Sequence, residues 1–143
     1  MNPIKTYKVA RTRRFLKDFR NILVFLQKAN ISAIAHLEDG YVWATAWDLE
    51  LYLPNIPQDV SAIAIPEKAI CADFGKNGYR CRVTDVVERR FFCRVALSPP
   101  LSRNVAPLQW QLSKKAWAKL FGDEVSIHVP PEAIILLQDK KGP

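Results

Sequence analysis

A small, mainly β fold, either a barrel or a sandwich, is predicted by three features of this 143-residue sequence. Short segments with apolar residues at every second position recur from residue 31 onward. Strong turn signals separate them, above all Asp39-Gly40 and Asn77-Gly78. A single short helical span near 113–121 interrupts the series. The length fits one domain, or two small lobes sharing a core. At about 68% burial, a chain of this size builds a hydrophobic core without metals or disulfides. A hydrophobic fraction of 49% with 24% charged residues excludes global disorder. No apolar run approaches the ~20 residues of a transmembrane helix, and the N-terminus lacks the apolar core of a signal peptide.

The first element differs from the rest. In residues 7–28, YKVARTRRFLKDFRNILVFLQK, Val9, Phe15, Leu16, Phe19, Ile22, Leu23 and Leu26 roughly follow helical spacing, with bases on the opposite face. This predicts a basic amphipathic helix over 1–28, serving as a connector; the ILVF run also fits the start of a strand. ISAIAHLE (31–38) then reads as a strand, Asp39-Gly40 as its hairpin turn, and YVWATA (41–46) as the return. DLELYLP (48–54) alternates Leu49, Leu51 and Leu53 against polar positions, Pro54 and Pro57 bracket a turn, and VSAIAIP (60–66) is a further strand. YRCRVTDVV (79–87) and FFCRVALS (91–98) form a pair split by the charged turn Glu88-Arg89-Arg90. SPPLSRNVAP (98–107) is a loop, and PLQWQL (107–112) puts Leu108, Trp110 and Leu112 on one face. Ser113 caps the helix over 113–121, which turns Trp117, Leu120 and Phe121 inward and ends at Gly122. VSIHV (125–129) and AIILL (133–137) close the fold, and 139–143 is a polar tail. The β region thus spans 29–138, with sub-lobes expected at 29–75 and 76–138.

The formal charge of +7 is unevenly placed. Residues 1–28 hold eight Lys and Arg against Asp18 alone, a net of +7, while the other 115 residues sum to zero. The chain therefore reads as a neutral body with a basic N-terminal arm, suited to nucleic acid, a membrane surface or an acidic partner, or else simply solvated. The cysteines, Cys71, Cys81 and Cys93, are odd in number and form no CxxC. They predict buried thiols in a reducing, cytoplasmic location. Cys81 and Cys93 sit on neighbouring strands in similar contexts and are candidates to face each other.

Catalytic chemistry is not signalled. There is no GxxxxGK[ST] loop and no GxGxxG, and His36 and His128 have no Cys or carboxylate at ligand spacing. No catalytic or metal-binding residue and no cofactor is predicted, so the chain is expected to bind rather than to catalyse. Trp43 and Trp47 flank the turn into DLELYLP; on a β-barrel such rings either pack as a lid or stack bases. The start of the 113–121 helix would favour an anion near Ser113, Lys114 and Lys115.

Taken in order, several segments resemble one family, the C-terminal regulatory region of ABC-transporter ATPase subunits of the molybdate, tungstate and sulfate importer type. YKVARTRRFLKDFRNIL (7–23) resembles the junction at which the ATPase domain ends. ATAWDLELYLP (44–54) looks like that region's second strand pair, and DVSAIAIPEKAI (59–70) is similar to its V-x-x-A-I-R-P-E-x-I segment, with the usual Arg missing. Residues 77–98 followed by 108–137 look like its last TOBE/MOP repeat. The resemblance covers about 7–138. It implies an OB-like (TOBE/MOP) β-barrel that dimerises or joins transporter subunits in the cytoplasm, associated with the membrane through them and without inserting into it. It also implies a bound oxyanion such as molybdate. On the matching positions, Lys76, Asn77, Ser113 and Lys114 would hold that ion. Pro130, Pro131 and Glu132 stand where the family has a Lys-Ala-Ser/Thr-like segment, and a carboxylate there repels an anion. No nucleotide-binding domain precedes the region, so the expectation is a fragment or a free-standing accessory protein. The alternative is an OB-like nucleic-acid module in which Arg11, Arg13, Arg14 and Arg20 contact phosphates and Trp43 or Trp47 stacks bases.

Overall fold

A computed structural model describes residues 7–11, 29–73, 78–100, 105–120 and 122–139. The chain is mainly β, and its sheet curls into a half-barrel. The strands are β1 (Tyr7–Arg11), β2 (Ala29–His36), β3 (Tyr41–Ala44), β4 (Leu49–Tyr52), β5 (Ala62–Pro66), β6 (Cys71–Ala72), β7 (Tyr79–Glu88), β8 (Phe92–Ser98), β9 (Leu108–Ser113), β10 (Glu124–His128) and β11 (Ile135–Asp139). One helical turn, α1 (Lys114–Trp117), and 3-10 turns at Glu67–Ala69 and Pro131–Ala133 complete the described elements. Six strands make one sheet in the order β1-β11-β5-β2-β3-β4, and five make the other, β6-β10-β7-β8-β9.

Period-two patterning explains how the sheets meet. Val42, Leu49, Leu51, Ile63 and Ile65 from the first sheet share one buried cluster with Cys81, Val95, Leu97, Trp110 and Ile127 from the second. Each aliphatic side chain buried there contributes roughly 1.5–3 kcal/mol. β5 is apolar on both faces: Ile63 and Ile65 enter this core, whereas Ala62 and Ala64 form a second cluster with Ile135 and Leu137 of β11. Asp39-Gly40 makes the expected hairpin turn. Both residues have positive φ (61° and 82°), and the Tyr41 amide donates to Glu38 O at 3.2 Å, the geometry of a type I′ turn.

Side chains also join the two sheets. The Asn30 amide at the start of β2 behaves like a strand residue toward β9: Nδ2 donates to Gln109 O at 2.8 Å and Oδ1 accepts from Gln109 N at 2.7 Å. The same Nδ2 donates to Ile65 O at 3.1 Å. Glu67 accepts two bonds from the Arg94 guanidinium of β8, at 2.8 and 2.9 Å. These bonds, and with them the Glu67 charge, hold Arg94 above its already high pKa. Trp110 Nε1 donates to Ile70 O at 2.9 Å, which satisfies the one polar atom of the largest fully buried side chain.

Five expectations need correction. Tyr7–Arg11 is a strand paired antiparallel with β11, rather than the first turns of a helix; the edge of β11 offers this segment a ladder of hydrogen bonds, with a register shift between Val9 and Arg11. The span at 113–121 is α-helical only over Lys114–Trp117, after which the bonds tighten to Lys119 N to Ala116 O and Leu120 N to Trp117 O. Gly122 has φ +88° but lies in the turn before β10 instead of ending α1. Cys81 and Cys93 do not face each other: β7–β8 pairing sets Cys93 opposite Glu88, while Cys81 faces Val125 of β10. Cys71 is exposed, so only two of the three free thiols are buried. The rest of the helix predicted over 1–28, the turn residue Asn77, the loop residues 102–104 and Phe121 lie outside the described residues.

Candidate functional site

Of the predicted oxyanion ligands, Ser113 and Lys114 lie exposed at the start of α1, while Lys76 and Asn77 lie outside the described residues. The Ser113 hydroxyl accepts from Ala116 N at 3.0 Å and so serves as the helix cap. Of the predicted phosphate-contacting residues, Arg11 belongs to β1, and Arg13, Arg14 and Arg20 lie outside the described residues. The two tryptophans part company. Trp43 is 41% exposed on the outer face of β3, whereas Trp47 is 2% exposed in the core and offers no stacking face. The turn over 45–48 reverses the alternation between them. His36 Nε2 bonds Val60 O at 2.8 Å, and His128 is exposed on β10.

The strand ladders gather one cationic end from the charged turn Glu88-Arg89-Arg90 and the start of α1. β8 pairs with β9 so that Phe92 stands opposite Ser113. This sets the β7–β8 turn, closed by Arg89 N to Phe92 O at 2.8 Å, beside the start of α1. Arg89, Arg90, Lys114 and Lys115 are all exposed there. Phe91, at the tip, is 77% exposed, and the Arg90 guanidinium lies 5.2 Å from its ring centre. The doublet Phe91-Phe92 was the available signal: alternation lets only one of two successive rings face inward.

A second surface lies on the outer face of β3 and β4. Tyr41 is directly opposite Tyr52, and Trp43 is directly opposite Glu50. The two tyrosine rings are 5.3 Å apart, centre to centre, and tilted by 58°. Trp43 Nε1 donates to Asp48 Oδ1 at 2.9 Å. Gly40 must lack a side chain here, because a Cβ would sit 3.1 Å from the Tyr52 ring at a φ that disfavours other residues. Tyr79, at the start of β7, lies against this hairpin. Burial raises its phenol pKa, a hydrogen bond from the Tyr52 backbone opposes the rise, and Tyr41 and Glu50 add to it.

The neutrality of residues 29–143 proves to be a balance of opposites. Residues 29–67 hold six acids and no Lys or Arg, while residues 68–143 hold thirteen bases against seven acids. The aromatic face belongs to the acidic part and the Phe91 end to the basic part. A shallow hollow beside the β4–β5 connection is lined by Leu53, Asn55, Ile56, Pro131, Ile134 and Leu136, with no cation among them. Among the described residues no three His, Cys, Asp or Glu side chains converge as metal ligands, and no helix is long and apolar enough to cross a membrane. No protein-family model matches this chain, and no curated protein matches its sequence.

Proposed function

We propose that this chain is a non-catalytic module that binds single-stranded nucleic acid through the Phe91 end of its five-stranded sheet. The observation that carries this reading is the register Phe92↔Ser113, which sets the turn bearing Arg89, Arg90 and the exposed Phe91 ring beside Lys114 and Lys115. Cations in this arrangement replace the counterions of successive phosphates, and the release of those ions drives association. The Phe91 ring stacks an unpaired base, an interaction worth about 1–3 kcal/mol and tolerant of sequence. The +7 carried by residues 1–28 adds to the same long-range attraction. Trp43 is the weaker stacking residue, since a base on its ring brings phosphate toward Glu50 and Asp48. The three free thiols accord with a reducing compartment.

Fluorescence anisotropy with a labelled single-stranded oligonucleotide tests the proposal. Affinity is expected to fall linearly with salt on a log–log plot, by about 0.7 per phosphate neutralised. Phe91→Ala is expected to weaken binding roughly 5- to 150-fold, in keeping with the loss of one stacked base. No binding at low salt, or affinity indifferent to salt, defeats the reading.

The importer-type alternative, with a small oxyanion at Lys76, Asn77, Ser113 and Lys114, has less support. The Ser113 oxygen already accepts the Ala116 amide, and a single helical turn sums few peptide dipoles. Calorimetry with molybdate, tungstate and sulfate is expected to show no heat of binding; heat with any one of them would favour the importer reading.

A further inference from the structure

We infer that the Tyr41–Trp43–Tyr52 face docks the Arg89–Phe91 end of a second copy of this chain. The face is a rectangle of three rings and one carboxylate: Tyr41 across from Tyr52, Trp43 across from Glu50. Its sides are roughly 5 Å across the strands and 7 Å along them. A planar guanidinium fits such a frame, stacked on Trp43 with its N–H groups toward Glu50. Glu50 makes no ion pair among the described residues. Beside Trp43, β2 presents only the Ala35 methyl, which leaves the flank of the indole open to a ring such as Phe91. Glu38 and Asp39, exposed at the tip of the same hairpin, extend the negative field.

The opposite chemistry is supplied by the chain itself. Arg89, Arg90 and Phe91 are consecutive and exposed, and they belong to the basic part of the sequence. One copy cannot bring its two surfaces together. β7 begins at Tyr79, against the Tyr52 backbone, and runs ten residues to Glu88, next to Arg89. That strand holds the surfaces about 30 Å apart. A second copy meets no such restriction. The contact is head to tail, so it propagates into short chains or closes into a ring. Since both surfaces are exposed and charged, it weakens with salt. The inference stands apart from nucleic-acid binding, although an oligonucleotide on the Phe91 end competes with it.

Sedimentation velocity of the full chain without nucleic acid is the test. At low salt the average mass is expected to rise with concentration, and at high salt to return to monomer. Glu50→Arg removes the acceptor face and Arg90→Glu removes the inserting end, so each variant alone is expected to stay monomeric. Mixed in equal amounts they are expected to form a one-to-one dimer, because the intact end of the first fits the intact face of the second. Circular dichroism establishes that both variants are folded. Wild-type protein that stays monomeric at every concentration overturns the inference, as does a mixture of folded variants that stays monomeric. Variants that each dimerise alone overturn it as well, in favour of a symmetric contact elsewhere. Oligonucleotide binding is read in a separate assay, so failure there leaves this result standing.

Discussion

Cys81 shows how a single buried atom sets a pH limit. The residue is 1% exposed, and burial pushes its thiol pKa from 9.0 up to about 11. Above pH 9 the unfolded chain loses this proton while the folded chain keeps it. Unfolding then releases a proton, so stability falls as pH rises from about 9 and levels off above about 11. The full effect is about 2–3 kcal/mol. Urea unfolding under reducing conditions at pH 8 and pH 10.5 measures it. In Cys81→Ala the loss should shrink, leaving the part due to Tyr79, whose raised pKa acts in the same direction. The thiols were legible as free, because their spacing excludes the usual motifs. That Cys71 stands outside was not, because β6 is a two-residue strand with no period to read. Trp47 escaped for a related reason: four positions separate it from Trp43, and strict alternation would set both on one face until a turn intervenes.

At the level of the element, Asn30 does the work of a missing strand. It supplies both a donor and an acceptor to Gln109 and so continues hydrogen bonding from β2 to the edge of β9. Asn30→Ala strands the Gln109 amide and carbonyl in a part-buried seam. The expected cost is about 2–3 kcal/mol, seen as a lower denaturant midpoint with a nearly unchanged slope. A fall below about 0.5 kcal/mol would mean that water replaces the side chain. Nothing in the sequence marks this residue, since an Asn at the start of a strand is unremarkable until its partner 79 positions away is in place. The pairing and turn of the β2–β3 hairpin, by contrast, were legible, because Asp39-Gly40 and the flanking alternation are local signals, although each strand ends two residues before its expected end. Both candidate surfaces were read only in part. Trp43 and Lys114 were chosen from the sequence, but their neighbours Tyr41, Tyr52, Glu50, Arg89, Arg90 and Phe91 are fixed by ladder registers that periodicity does not determine.

For the molecule as a whole, the decisive arrangement is that the first described strand pairs with the last. β1 forms the edge of its sheet, and β11 is its neighbour there. A chain ending after Ile134 loses the partner of β1, one partner of β5, and the side chains of Ile135 and Leu137 from the second cluster. Burial of those two side chains alone contributes roughly 3–6 kcal/mol, a large share of the 5–15 kcal/mol typical of a domain. The shortened chain is therefore expected to show no cooperative thermal transition by circular dichroism; a sharp transition would show that β11 is dispensable. The same pairing has a consequence in time. Arg11 pairs with Leu136, 125 positions later. At roughly 5–20 residues per second, a ribosome takes about 6–25 seconds to deliver that partner. Until then β1 has left the exit tunnel with no strand of its own chain to join, its amides and carbonyls open to any extended segment nearby. Slower translation prolongs that exposure, so codon choice between the two strands bears on how much of the protein reaches its fold.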